Sequence, residues 1–370
     1  MRRFAAAALG MLSLNAVSAP VVAQDPATLS FVIRDWYTAM HESKFMDECP
    51  EGLNVGNEAY WWYELPRKER AEITENGFKS HASRYIMEMA RGPNQEDVCM
   101  NPTSIFDPPL RVVEGRFGYG ENLDGTEDGH ATAKTCAHKK FVSPDGKTGI
   151  DNQMYRLVGC TFGWRKSGMV ELNANESRGT SGLGMILIEI TGVKDPRNSD
   201  DVTVSFYRSI DQYTLDSNGR PLPFSTYRID TLDGKALYGD SLKGRIKDGV
   251  LTTARGDVTI PYYGTNNFMR PVIKDMGLRL EIAADGATAS GMITGYYDME
   301  RFLYSVGSTG QVIQTAQFSC PAMYVAAHKL ADGYPDPKTG ECTMLSGAFK
   351  ITAYSAFVLH PERDKRQAAR

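Results

Sequence analysis

Between Asp124 and Cys160 the chain reads DGTEDGHATAKTCAHKKFVSPDGKTGIDNQMYRLVGC, a stretch dense in imidazoles, carboxylates and amides. His130 and His138, with Asp151 and the neighbouring Asp128 and Asp145, have the groups needed for proton transfer. The run Asp124-Gly-Thr126-Glu-Asp128-Gly129 also begins like a calcium loop, with oxygen ligands at positions 1, 3 and 5 and glycine at 6. Position 12 is Thr135 instead of a bidentate glutamate, so an EF-hand is excluded. What the spacing admits is a looser calcium site through Asp124, Asp128 and Asp145 or Asp151. Lys134, Lys139, Lys140 and Lys147 are close enough in sequence to neutralise those carboxylates instead.

A third chemistry is recognition of a polar ligand. Asn152, Gln153, Tyr155 and Arg156 follow a glycine-marked loop, and amide, phenol and guanidinium groups suit a polyhydroxylated molecule such as a glycan. Trp61 and Trp62, inside the run Tyr60 to Tyr63, are a candidate sugar-stacking platform. Each group also has a plain structural reading: Asp and Gly make Asx turns, Asn152 can order its own loop, and the aromatics can brace a core.

Sharper motifs are incomplete. Gly179-Thr-Ser181-Gly182-Leu183 lacks the second glycine of a nucleophile elbow. Gly118-Tyr-Gly120 has Leu123 where a dinucleotide fingerprint needs glycine, and seven residues between His130 and His138 is not a zinc-finger spacing. His81 and His328 fit packed or surface histidines. No cofactor pattern is complete, and calcium is the one ion the carboxylates suggest.

The elements that must position these groups begin with a leader. Arg2 and Arg3 precede an apolar run ending in small residues near Ala23, so residues 1–23 read as a signal peptide and the protein as periplasmic or extracellular. No stretch after it is long and apolar enough to span a bilayer. Six cysteines in an oxidising compartment imply three disulfides; pairing neighbours in sequence gives Cys49–Cys99, Cys136–Cys160 and Cys320–Cys342. Cys-x-x-Cys is missing, which argues against thiol redox chemistry. A net charge of −4 and the lack of a basic run before the tail at 363–370 argue against nucleic acid.

Leu29, Val32, Trp36 and Met40 recur at helical spacing, Pro66 opens a charged helix, and Phe78 to Met89 carry a third helical stripe. Residues 24–104 therefore read as a helical region packed on the core. From 105 the pattern becomes short apolar runs separated by Asp-Gly dipeptides, the mark of hairpins. Strands are expected at 184–193, 202–208, 249–260, 277–283, 289–297 and 348–359, with one helix over 320–331. The fold class is thus mainly β (α+β): an antiparallel β-sandwich or jelly-roll-like core over 105–362 with a helical N-terminal region and one C-terminal helix. The leading functional reading is an exported binder of a polar ligand, a glycan or an envelope-derived polymer, through the loops at 124–160. A secreted hydrolase or lyase at the same histidines is the alternative, and a structural subunit of an envelope complex the third.

Overall fold

Residues Ala27–Thr38 form a strand, β1, where helical spacing predicts a helix. The reason lies in the register shift between Ile33 and Asp35, where this strand has one residue more than the strand it pairs with. An extra residue at a bulge breaks the period of two. Phe31, Ile33 and Trp36 all reach the main core while Val32 packs in a second cluster, so the strand imitates helical spacing.

The computed structural model describes residues 27–54, 62–63, 65–76, 94, 96–105, 109–166, 168, 170–181, 184–260, 262–263, 268–308 and 320–360. The leader, the stripe from Phe78 to Met89, His81 and the tail at 363–370 lie outside them.

After β1 come β2 (Met185–Val193), β3 (Ser199–Ser209), β4 (Ser225–Arg228), β5 (Thr231–Leu232), β6 (Lys235–Ala236), β7 (Ser241–Lys247) and β8 (Val250–Thr253). They are followed by β9 (Gly256–Thr259), β10 (Tyr262–Tyr263), β11 (Phe268–Met269), β12 (Val272–Ile282), β13 (Thr288–Asp298), β14 (Gly333–Pro335) and β15 (Cys342–Leu359). Hydrogen bonding runs β1-β2-β3-β7-β8-β12-β13-β15, and β15 pairs back to β1 from Phe31↔Ser355 to Thr38↔Phe349. That last pairing closes an eight-stranded antiparallel barrel, which overturns the sandwich or jelly-roll expectation: one sheet curls on itself instead of two facing each other. The expected strands from 184 onward are present, with 249–260 split into β8 and β9, and the hairpin at Asp285-Gly286 joins β12 to β13.

Eight strands enclose a space that side chains alone can fill. Phe31, Ile186, Ile188, Val204, Phe206, Leu242, Leu251, Leu280, Ile293, Phe349 and Ile351 belong to one buried cluster drawn from every stave. The helix Gln153–Val158 adds Met154, Leu157 and Val158 to it, and the helix Cys320–Leu330 adds Met323, Ala326 and Ala327. The helix opened by Pro66 is present as Arg67–Asn76, and further helices span Val170–Ser181 and Met299–Ser308.

Three disulfides are formed, Cys49–Cys160, Cys99–Cys320 and Cys136–Cys342, so the sequence-neighbour pairing is corrected throughout. They span 111, 221 and 206 residues: the first ties the segment after β1 to the end of the central stretch, and the other two tie Cys99 and Cys136 to the helix and strand that end the fold. Taken singly, closing loops this long stabilises by about 5 kcal/mol in a chain-entropy treatment. Three such bonds fit an exported protein; among the described residues no helix is long and apolar enough to cross a membrane.

Candidate functional site

The segment 109–151 has almost no regular structure, only isolated bridges such as Phe117↔Val142, Glu121↔Asp151 and Phe141↔Ile150. It lies along the outer face of the barrel, tied there by Thr135↔Gly333 and by the Cys136–Cys342 bond. Gly129 makes one of its close approaches possible. At φ +75° a side chain is strained, and a Cβ there would sit 1.9 Å from the His138 carbonyl oxygen.

His138 stands at the centre of a buried ionic cluster. Its Nε2 lies 2.7 Å from Asp151 Oδ1, 3.7 Å from Asp332 Oδ2 and 3.8 Å from Asp124 Oδ2. Lys140 Nζ is 2.6 Å from Asp124 Oδ1 and 2.5 Å from Asp151 Oδ1. The three carboxylate side chains are 0% exposed, His138 5% and Lys140 6%, so this is an enclosed site. Local structure holds each member. The Leu123 amide donates to Asp151 Oδ2, the Thr126 amide to Asp124 Oδ1 and the Ser346 amide to Asp332 Oδ1.

Burial alone would lower the His138 pKa, but the hydrogen bond to Asp151 and the field of Asp332 raise it. Burial pushes Asp332 up to about 6 against the opposing pull of His138 and Ser346. For Asp124, burial acts upward and is outweighed by Lys140 and Thr126, so its carboxyl titrates below the usual range. The groups needed to hold a metal ion are present, since ligand atoms of Asp124, His138 and Asp151 lie within 4.8 Å of one another.

The other expected site residues are placed differently. Asp128 and His130 are exposed and pair with each other at 2.6 Å, and exposed Asp145 bonds Ser143 and Lys147. Asp124, Asp128 and Asp145 are therefore not brought together. Asn152 caps the helix Gln153–Val158 through the Tyr155 amide and donates to the Ala39 and Tyr119 carbonyls. Gln153 donates to the Lys139 carbonyl, Arg156 to those of Val113 and Lys139, and Tyr155 to that of His41. Their polar atoms bind the protein's own backbone. Trp62 is half-buried, and Trp61 lies outside the described residues.

Sequence reasoning missed Asp332, which looks like one more Asp-Gly turn, and a surface array beside the cluster. In that array the His41 ring lies 5.6 Å from Phe117 and 6.1 Å from Tyr119, with Lys350 Nζ 3.6 Å above the Tyr119 ring and the Arg116 guanidinium 5.9 Å from Phe117. Phe117 is 42% exposed. Burial lowers the Lys350 pKa while Glu42 opposes the shift. Neither Arg116 nor Lys350 is within ion-pair distance of a carboxylate among the described residues. The alternation Phe117-Gly-Tyr119 was the one visible signal, and it names no partner for either ring.

Fold and site together define a disulfide-braced, closed eight-stranded barrel with an enclosed His–Asp–Lys cluster on its wall. Comparison with protein-family models, curated proteins and solved structures found no match to this chain.

Proposed function

We propose that this chain is an exported binding protein that takes a glycan segment on the array of Phe117, His41 and Tyr119. The carrying observation is the continuity of that array: three rings and two cations side by side on a barrel wall, with Phe117 42% exposed. The C–H face of a sugar ring is apolar and lies well on an aromatic face, while its hydroxyls and carboxylates accept hydrogen bonds from lysine and arginine. Because Arg116 and Lys350 have N–H groups to spare, acidic oligosaccharides are the favoured class.

Calorimetric titration with soluble uronic-acid and neutral oligosaccharides tests this reading. Acidic fragments should bind better, and Phe117→Ala should weaken binding about tenfold, or about 1.4 kcal/mol, without moving the melting temperature. Lack of binding across the panel, or equal binding by the variant, counts against it. A hydrolase or lyase at His138 is the second reading. The 2.7 Å contact with Asp151 favours it, whereas the enclosure of both side chains opposes it; turnover of any bound fragment that His138→Gln abolishes would select it.

A further inference from the structure

A neutral His138 does not fit against ionised carboxylates. Its Nδ1 lies 2.8 Å from the Cys136 carbonyl oxygen, an acceptor only, so Nδ1 must carry a proton. In a neutral ring Nε2 would then point a lone pair at Asp151 Oδ1, 2.7 Å away. Either that contact holds a proton, on Nε2 or on the carboxyl, or a cation sits between the nitrogen and the carboxylates. A carbonyl holding the far nitrogen is the usual way a protein orients a metal-binding histidine.

Charge balance distinguishes the two choices. Asp124, Asp151 and Asp332 against Lys140 leave two negative charges among side chains that are 0–6% exposed. An imidazolium cancels one of them; a divalent ion in place of the Nε2 proton cancels both. Unmatched polar atoms point to the same spot. Asp124 Oδ2 and Asp332 Oδ2 have no hydrogen-bond partner and lie 3.8 and 3.7 Å from the imidazole Nε2. The Tyr296 hydroxyl, on a residue 2% exposed, is likewise unpartnered and feels the charges of Asp332, Asp151 and Asp124. The Tyr296 ring is held against Gly333, where a Cβ would come within 2.3 Å of it.

We infer that His138 Nε2, Asp124 Oδ2, Asp151 Oδ1 and Asp332 Oδ2 form a site for a divalent transition ion, zinc foremost. One imidazole with three carboxylate oxygens favours zinc over calcium, which prefers six to eight oxygens. In a tetrahedral site with bonds of about 2.0–2.1 Å the ligand atoms stand about 3.3 Å apart. Measured from His138, the 3.7 and 3.8 Å separations close by a few tenths of an ångström and the 2.7 Å one opens by a similar amount; Asp332, outside the trio whose ligand atoms lie within 4.8 Å of one another, has to move further in towards the other two carboxylates. Lys140 keeps Asp124 Oδ1, gives up its 2.5 Å contact with Asp151 Oδ1 to the ion, and neutralises the charge that the ion leaves. Such a site fastens the segment 109–151 to the barrel independently of the disulfide.

Metal content of the purified full-length protein, after EDTA treatment and reloading with zinc or calcium, tests the inference. About one zinc per chain is expected, with affinity falling about 100-fold or more in His138→Gln and Asp332→Asn and about tenfold in Tyr296→Phe. The surface variant Asp128→Ala/His130→Ala should bind like wild type. If the ligand variants do not fold, the cobalt-substituted wild type decides: its absorption should report four-coordinate nitrogen and oxygen ligands without thiolate charge transfer. Failure to take up zinc, calcium uptake in its place, or full uptake by both ligand variants overturns the inference. The glycan reading is unaffected by that result, because it rests on different side chains.

Discussion

Glu171 shows how a single carboxyl can set the pH response of this fold. Its Oε1 accepts from the Thr38 amide at 2.7 Å and from the Thr38 hydroxyl at 2.6 Å. Burial nevertheless pushes its pKa up to about 7 against those hydrogen bonds. The folded state thus holds this proton between about pH 4.5 and 7, where the unfolded chain has released it. Stability from this group is full below about pH 4.5 and declines as pH rises towards 7. Glu171→Gln keeps an acceptor for Thr38 and removes the charge, so it should raise the melting temperature at pH 8 by about 2–4 °C, as about 1 kcal/mol does in a domain of this size. At pH 4 the two proteins should melt together. A variant that melts lower than wild type at pH 8 contradicts the assignment. Nothing in the sequence marks Glu171, because what shifts it is enclosure by a strand more than a hundred residues away.

At the scale of elements, the segment 109–151 is the unusual part of the molecule, since it is ordered without a helix or a ladder of its own. Its anchors are the Cys136–Cys342 bond, the His138 cluster and the small core of Val113, Phe141, Ile150 and Tyr155. The chemistry of this stretch was legible in its residue types, and His138, Asp151 and Asp124 do meet. Which carboxylates join the histidine was not, because Asp128 and Asp145 lie as near in sequence as the residues that do meet it, and Asp332 comes from the far end of the chain. Opening the disulfide in a Cys136→Ser/Cys342→Ser variant should speed amide exchange at residues 130–142 about tenfold or more, with β2 and β3 unchanged. Uniform acceleration over the whole protein would instead make that bond a global brace.

Across the whole molecule the decisive contact is β1 with β15, a first strand paired with a last one. It closes the two edges that β1 and β15 would otherwise leave open, so the eight staves offer no edge along that seam for another chain's strand. Two of the three disulfides follow the same long-range plan, joining residues around 100–136 to residues 320 and 342. Peptide mapping of the non-reduced protein should recover Cys49–Cys160, Cys99–Cys320 and Cys136–Cys342 and no peptide pairing Cys136 with Cys160. Recovery of Cys136–Cys160 would require a different path for the central segment and would undo the site as described.

What the sequence determined by itself is local. Alternating apolar residues and Asp-Gly turns specify β2, β3, β8 with β9, β12, β13 and β15 and the β12–β13 hairpin, but not the stave β7, and an even cysteine count specifies three bonds, because each depends on a few neighbouring side chains. The tertiary structure alone decided that β1 is a strand, that the sheet closes, which cysteines pair and that Asp332 faces His138. Each of these joins residues far apart in the chain, and bulges such as the one at Ile33 and Asp35 hide the alternation that would have announced the strand. Side-chain spacing reports which face of an element is apolar; it does not report what that face meets.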